Sequence, residues 1–398
     1  MNYPFGMKRL LLPVGLLLLF TAEILRVYFI MPFPGSQHSN TISIAYFLNK
    51  YIFFIRIAAL LLVGFSVYHS FRSWKKWKKV LFITGMVLYA AIFYFVNFKF
   101  LADKMFYQPK NKILVRAADN HVAADKLVLG VTINNESKAY PVEIIGYHHQ
   151  VQDTIGGTAV IVTYCTVCRT GRVFSPMVKG IKESFRLVGM DHFNAMFEDK
   201  ATKSWWQQAT GKAIAGPLKG YELTEFPSKQ VRLSAWLRSN PNSLILQPDP
   251  AFAKKYEDLI GFDIGTIKSG LEKRDSGSWK FKSWVVGVRH NNMSKAYDWN
   301  ELLAKKIIND SLGQLKIVVV IEKDSASFHV WNRVVKNQLL NFISDSSGLK
   351  DNTTNSVWND DGLCMEGPLK GEQLIRVQAS QEFWHSWKFF NPGTAIYK

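Results

Sequence analysis

Two of the three cysteines in this 398-residue chain lie three positions apart, in the stretch Val160-Ile161-Val162-Thr163-Tyr164-Cys165-Thr166-Val167-Cys168-Arg169. Such a pair supports three chemistries. In an oxidising compartment it closes a disulfide that staples a turn. With lowered thiol pKa values it is a redox dithiol. With added imidazole it supplies half of a tetrahedral site suited to zinc or copper(I). The nearest imidazoles are His148 and His149. Neighbours on a helix point to different faces, so at most one of them readily faces the sulfurs. A second soft-ligand segment holds Met190, Asp191, His192 and Met196, a mixture that suits copper, although methionines at this spacing are commonly core. A thioredoxin-like site needs a helix directly after the motif. Here Arg169–Phe174 reads instead as a turn into another strand.

What positions these residues begins with a membrane anchor. Residues 1–109 carry 12 Lys/Arg against 2 Asp/Glu, and three apolar runs fill them: Leu10–Met31, Tyr51–His69 and Val80–Phe98. Each approaches the roughly 20 residues that cross a bilayer core as helix. None ends in a small-residue cleavage site. Lys8 and Arg9 precede the first run and Arg72–Lys79 separates the second from the third, whereas Pro32–Tyr46 has no Lys or Arg. Basic loops stay cytoplasmic, so everything after Phe98 is expected on the extracytoplasmic side. The lipid bilayer, through residues 10–98, is the expected partner. Nucleic acid is not, because a basic loop between two spans is a topology signal. Glu23, Arg26 and Arg56 fall inside the runs; Glu23 and Arg26, three apart, share a helix face and are expected to pair.

The outer part repeats itself. Gly130–Tyr140 matches Gly287–Tyr297 at eight of eleven positions, at an offset of 157. Asp199, Thr202, Ser204 and Trp206 recur as Asp351, Thr354, Ser356 and Trp358; Gly216-Pro217-Leu218-Lys219-Gly220 recurs as Gly367-Pro368-Leu369-Lys370-Gly371. Leu223, Trp236, Asn240 and Pro241 recur 151 positions later. We read a tandem duplication. The expected fold is α+β and β-rich: two pseudo-repeats of one unit behind three transmembrane helices. The boundaries are 1–109 for the anchor, 110–260 for the first unit, 261–282 for a Gly/Ser/Lys-rich linker and 283–398 for the second. Within a unit, Leu127–Ile133 and Ser137–Pro141 read as a hairpin about an Asn-Asn turn, Val142–Val151 as a short helix and Ala159–Tyr164 as a buried strand.

Positions shared by both units belong to the fold; positions found in one are candidates for chemistry. Cys165 and Cys168 align with Glu322 and Ser325, and His148 and His149 with Lys305 and Lys306. Cys364, opposite Ala213, reads as a small buried hydrophobe. Asp199 and Asp351, being shared, read as turn or cap residues, and Trp205 and Trp206 as core.

Ala139-Tyr140-Pro141, His148, Asp153, Gly156-Gly157 and Thr163-Tyr164-Cys165-Thr166-Val167-Cys168, followed by Asp199-x-x-Thr202-x-Ser204-x-Trp206 and Gly216-Pro217-Leu218, resemble in order the prokaryotic family called domain of unknown function 3179. Its usual form reads A-Y-P, H-E-x-x-N-D, G-G and T-Y-C-P-L-C-G. The resemblance spans Leu114 to Tyr397 and implies that His148 is the histidine of the site. Two positions depart: His149 stands where the family has Glu, adding a possible ligand, and Arg169 where it has Gly, at odds with a metal-binding knuckle yet favourable to a neighbouring thiolate.

The expectation is therefore a membrane-anchored extracytoplasmic protein whose Cys165, Cys168, His148 and His149, with His192 and Met190 as possible additions, bind or deliver copper or zinc. One alternative is a thiol-disulfide oxidoreductase or another enzyme using Cys165 and Cys168. The other is a duplicated scaffold for a protein partner, with a structural disulfide. No Walker loop, dinucleotide fingerprint, H-E-x-x-H or haem-attachment motif is present.

Overall fold

The structure is a computed structural model and describes residues 5–345 and 348–398. Long runs of Leu, Ile, Val and Phe, almost free of charge, fold as helices α1 (Phe5–Tyr28), α2 (Ile42–Ser70) and α3 (Lys76–Phe98). All three are long and apolar enough to cross a membrane. Helices α1 and α2 meet where side chains are small: a Cβ on Gly15 would lie 2.8 Å from Val63 Cγ2 and 3.0 Å from the Ala59 carbonyl oxygen. The polar residues in the spans form one network. Glu23 pairs with Arg56 of α2 (2.5 and 2.8 Å), not with Arg26, and also accepts from Asn97 of α3. Arg26 donates instead to Asn49 and Asn97. Reaching across helices satisfies more of each group's bonding capacity than the along-helix pair expected from spacing.

The chain forms two compact units that do not follow chain order. One combines the chain up to Tyr107 with residues 184–207 and 212–221; the other holds 108–183, 208–211 and 222–398. In the first, a four-stranded antiparallel sheet runs in the order Ala213–Ala215, Trp205–Gln207, Asn194–Asp199, Phe185–Asp191. Gly189 lets it meet the end of α1. The Met190 N–H donates to the Ile30 carbonyl at 2.7 Å, and a Cβ on Gly189 would stand 2.3 Å from that oxygen. The Tyr46 ring meets Trp205 edge-on at 5.1 Å.

In the second unit, Leu127–Ile133 and Glu136–Pro141 form a hairpin whose turn residues Asn134 and Asn135 both have positive φ (48° and 64°), the type I′ geometry that Asn tolerates. Lys229–Arg232 adds antiparallel on one side and Leu244–Leu246 parallel on the other. Trp284–His290 and Met293–Asp298 form a corresponding hairpin, with Ala379–Phe383 antiparallel on one side and Ala395–Ile396 parallel on the other. Gly130 lies under Trp236 and Gly287 under Trp387, each so closely that a Cβ would enter the ring (2.3 and 2.2 Å). A helix follows each hairpin, Val142–His148 and Trp299–Lys305, shorter than the expected Val142–Val151 because His149 and Lys306 turn to positive φ. The next antiparallel strands are Gln150–Ile155, Thr158–Cys165 and Thr170–Phe174 in one case, and Ile307–Leu312, Leu315–Ile321 and Phe328–Asn332 in the other.

Candidate thiol site

Apolar β-branched residues bury the strand Thr158–Cys165, and its partner Thr170–Phe174 returns antiparallel with Thr170 opposite Cys165. The cysteines thus occupy the tight turn of a hairpin, closed by an Arg169 N–H to Thr166 carbonyl bond of 3.2 Å. No helix follows, as the sequence indicates. All three cysteines are buried thiols. Cys165 and Cys168 are within hydrogen-bond reach of each other; burial first, and that contact second, push the Cys168 thiol well above its ordinary range.

The cover over this turn comes from far along the chain. The Phe383 N–H donates to the Cys168 carbonyl at 2.9 Å, and Lys282 Nζ donates to the Val167 carbonyl at 2.6 Å. His385 Nε2 lies 3.2 Å from the same oxygen, its ring stacked on Phe281. Ser386 reaches the Cys168 thiol and donates to Glu382 (3.2 Å), which is itself buried and paired with Arg172 at 2.5 Å. Burial lowers the Lys282 pKa, and the nearby Cys168 and Cys165 act to raise it. Residues 261–282, a linker by composition, therefore contribute to the site. Phe262 and Asp263 are also buried there, and Asp263 is raised to about 7 by burial.

Arg169 has φ 54°, a left-handed value natural to the family's Gly and costly for Arg. What holds it is a guanidinium whose three nitrogens are each hydrogen-bonded. It donates to Gln381 (2.8 Å) and to the carbonyls of Phe262 (3.0 Å) and Asp263 (2.9 Å), and lies 3.8 Å over the Trp284 ring. The guanidinium is thus committed to Gln381, two carbonyls and the Trp284 ring rather than to Cys168.

The expected ligand shell is not gathered. Among the described residues no group of three or more His, Cys, Asp or Glu side chains is arranged to hold a metal ion. His148 Nε2 bonds the Tyr256 hydroxyl at 2.7 Å, edge-on to Phe252. His149, in the left-handed conformation that ends its helix, places Nδ1 3.0 Å from the Tyr164 carbonyl, and burial lowers its pKa to about 4. The acceptor requires a proton on Nδ1. His192 pairs with Asp191 (2.7 Å) and, like the buried Met190, belongs to the other compact unit. Copper or zinc thus finds no ready donor set in the residues expected to bind it.

Asp199 is a buried hub, accepting from the N–H groups of Thr202 and Ser204 and from Trp206 Nε1 (2.9 Å). Asp351 does the same for Thr354 and Trp358 (3.0 Å). Trp205 and Trp206 are fully buried, and Cys364 is buried in a hydrophobic cluster.

Lys282, Glu382 and Ser386 lie outside the repeat that holds the cysteines, yet two of them carry a signal in the sequence: at the offset of 151, Glu382 and Ser386 stand where the first repeat has Val231 and Ala235. No curated protein and no solved structure matches the chain. A family model described as "Protein of unknown function (DUF3179)" matches residues 108–394, beginning after the apolar helices, and the chain belongs to that family.

Proposed function

We propose that this is a membrane-tethered dithiol protein whose outer region lies on the extracytoplasmic side and arose by tandem duplication. The sidedness rests on the basic clusters Lys8/Arg9 and Arg72–Lys79. Duplication is supported by the matching strand order about each hairpin and by reciprocal contacts between the halves. Gln230 and Gln381, equivalent at the offset of 151, hydrogen-bond each other at 3.0 Å. Phe383 holds the turn of the first half, and its equivalent Arg232 holds that of the second by an N–H bond to Ser327 Oγ (2.9 Å). Paired contacts of this kind between equivalent segments are the pattern of a two-fold interface.

The activity we assign is reversible thiol–disulfide exchange. The carrying observation is two adjacent thiols in one tight turn, with the Lys282 ammonium bonded to the Val167 carbonyl between them. With a disulfide partner, Cys165 and Cys168 lose two protons and two electrons and form an S–S bond, while the partner's two sulfurs leave as thiols. Burial requires the cover at 281–286 and 382–386 to open first. The test is a redox titration of the full chain in detergent against glutathione, read by alkylation and mass. Reversible exchange above about −300 mV supports the reading. A pair locked as disulfide below that value is a staple, and a pair that never oxidises is neither; both outcomes sink it.

A further inference from the structure

The residues found in only one half are complementary. The first half alone has Cys165 and Cys168; the second alone has Glu382 and Ser386, opposite Val231 and Ala235. All four meet at one place. Ser386 Oγ bonds Glu382 Oε2 (3.2 Å) and lies 3.5 Å from Thr170 Oγ1, in the strand leaving the cysteine turn. Glu382 is fixed by Arg172 of that strand, and Lys282 is fixed to the Val167 carbonyl between the two cysteines. In a pure staple none of these groups is needed. Burying a carboxylate, an ammonium and a hydroxyl around two small thiols costs desolvation that hydrocarbon packing would avoid.

We infer that the thiol centre is composite: the first half supplies the two sulfurs, the segment joining the halves supplies Lys282 and the second half supplies Ser386 as positioning residues that stabilise the thiolate, with Glu382 orienting Ser386. The inference rests on the thiol reading above. In the thiol state Ser386 donates to Glu382 and accepts from the Cys168 S–H. When that proton leaves to solvent, the Ser386 hydroxyl turns to donate to sulfur, and the Lys282 ammonium offsets the new charge. Other charged or titratable groups around the site are Arg169, Arg172, Glu272, Asp275 and His385. Arg169 is committed to Gln381 and two carbonyls; Glu272 accepts from Thr166 Oγ1 (3.3 Å), between the two cysteines, and Asp275 accepts from the Lys282 backbone N–H (2.7 Å). Burial lowers His385 to about 3, so it is neutral wherever the thiols titrate.

The experiment follows thiolate ultraviolet absorbance against pH in the full chain in detergent, in a Cys364→Ala background, reduced throughout. Lys282→Met is expected to raise the midpoint by about one pH unit, about tenfold less thiolate at a given pH. Lys282→Arg should restore most of it, and Ser386→Ala should raise it by about half as much. Thermal melts confirm that each variant is folded. A Lys282 that only fastens the cover predicts the opposite: Lys282→Met would expose the thiols and bring their midpoint down to the ordinary value. That result, or unmoved midpoints in both Lys282→Met and Ser386→Ala, overturns the composite centre. Shifted midpoints without a reversible disulfide would leave the composite standing and remove the exchange reaction; a reversible disulfide with unmoved midpoints would do the reverse.

Discussion

The turn after strand Thr158–Cys165 and the turn after strand Leu315–Ile321 occupy corresponding places, yet they are built from opposite materials. The first encloses two thiols beneath Phe383, Lys282 and Ser386. The second is an ion cluster: Glu322 accepts from Arg238 and bonds His329, both at 2.7 Å, while Asp324 caps Ala326 and Ser327. In both repeats of the sequence the Gly–Trp contact and the Asp–Trp hub recur almost unchanged. The scaffold contacts recur at the equivalent positions of both hairpins, whereas the contents of the two turns differ. The thiols are therefore not required by the hairpin, which forms without them at Leu315–Ile321 and Phe328–Asn332.

Breaking the ion pair beneath each turn sharpens this contrast most. Arg172→Met leaves Glu382 buried without its cation and is expected to cost about 3–5 kcal/mol, measured by thermal or chemical denaturation. Arg238→Met removes an arginine that is half exposed (50%), so its loss should cost no more than about 1 kcal/mol. Equal effects would mean that the two turns are equally deep after all. Next come the equivalent glycines. Gly130→Ala and Gly287→Ala each drive a methyl into a tryptophan ring, and each is expected to cost about 1–3 kcal/mol. A large cost at one and none at the other would break the claim that the scaffold is held in common.

A further contrast lies in pH dependence. Burial lowers His149 in the folded protein to about 4 from its ordinary 6.5. The unfolded chain therefore binds that proton first, and the contribution is full above about pH 6.5 and lost as pH falls through 4. Asp263 is shifted the other way, from 3.8 to about 7. Its contribution is full below about pH 3.8 and is lost as pH rises through 7. His149→Gln should flatten the acid limb of a stability–pH curve and Asp263→Asn the opposing limb. Unchanged limbs would show that neither group is as enclosed as its neighbours indicate.

Much of this was legible in the chain. The apolar helices follow from composition, since nothing but hydrocarbon surrounds such runs favourably, and the Asn-Asn turns follow from the φ values that Asn accepts. The family follows from the ordered motifs between Ala139 and Leu218. Other features were not legible. Glu23 was expected to find Arg26 because sequence spacing reports neighbours on one helix, whereas its partners Arg56 and Asn97 come from two others. His148 was assigned to the sulfurs on resemblance, but the ring is held by Tyr256, more than a hundred residues on.

From the sequence alone came the elements and their likeness, because local periodicity, turn chemistry and repetition are carried by adjacent residues. Only tertiary structure decided what surrounds Cys165 and Cys168. Lys282, Phe383 and Ser386 reach them across more than a hundred positions of chain, and the hydrogen bonds that fix a side chain there depend on distances in space that no spacing in sequence encodes.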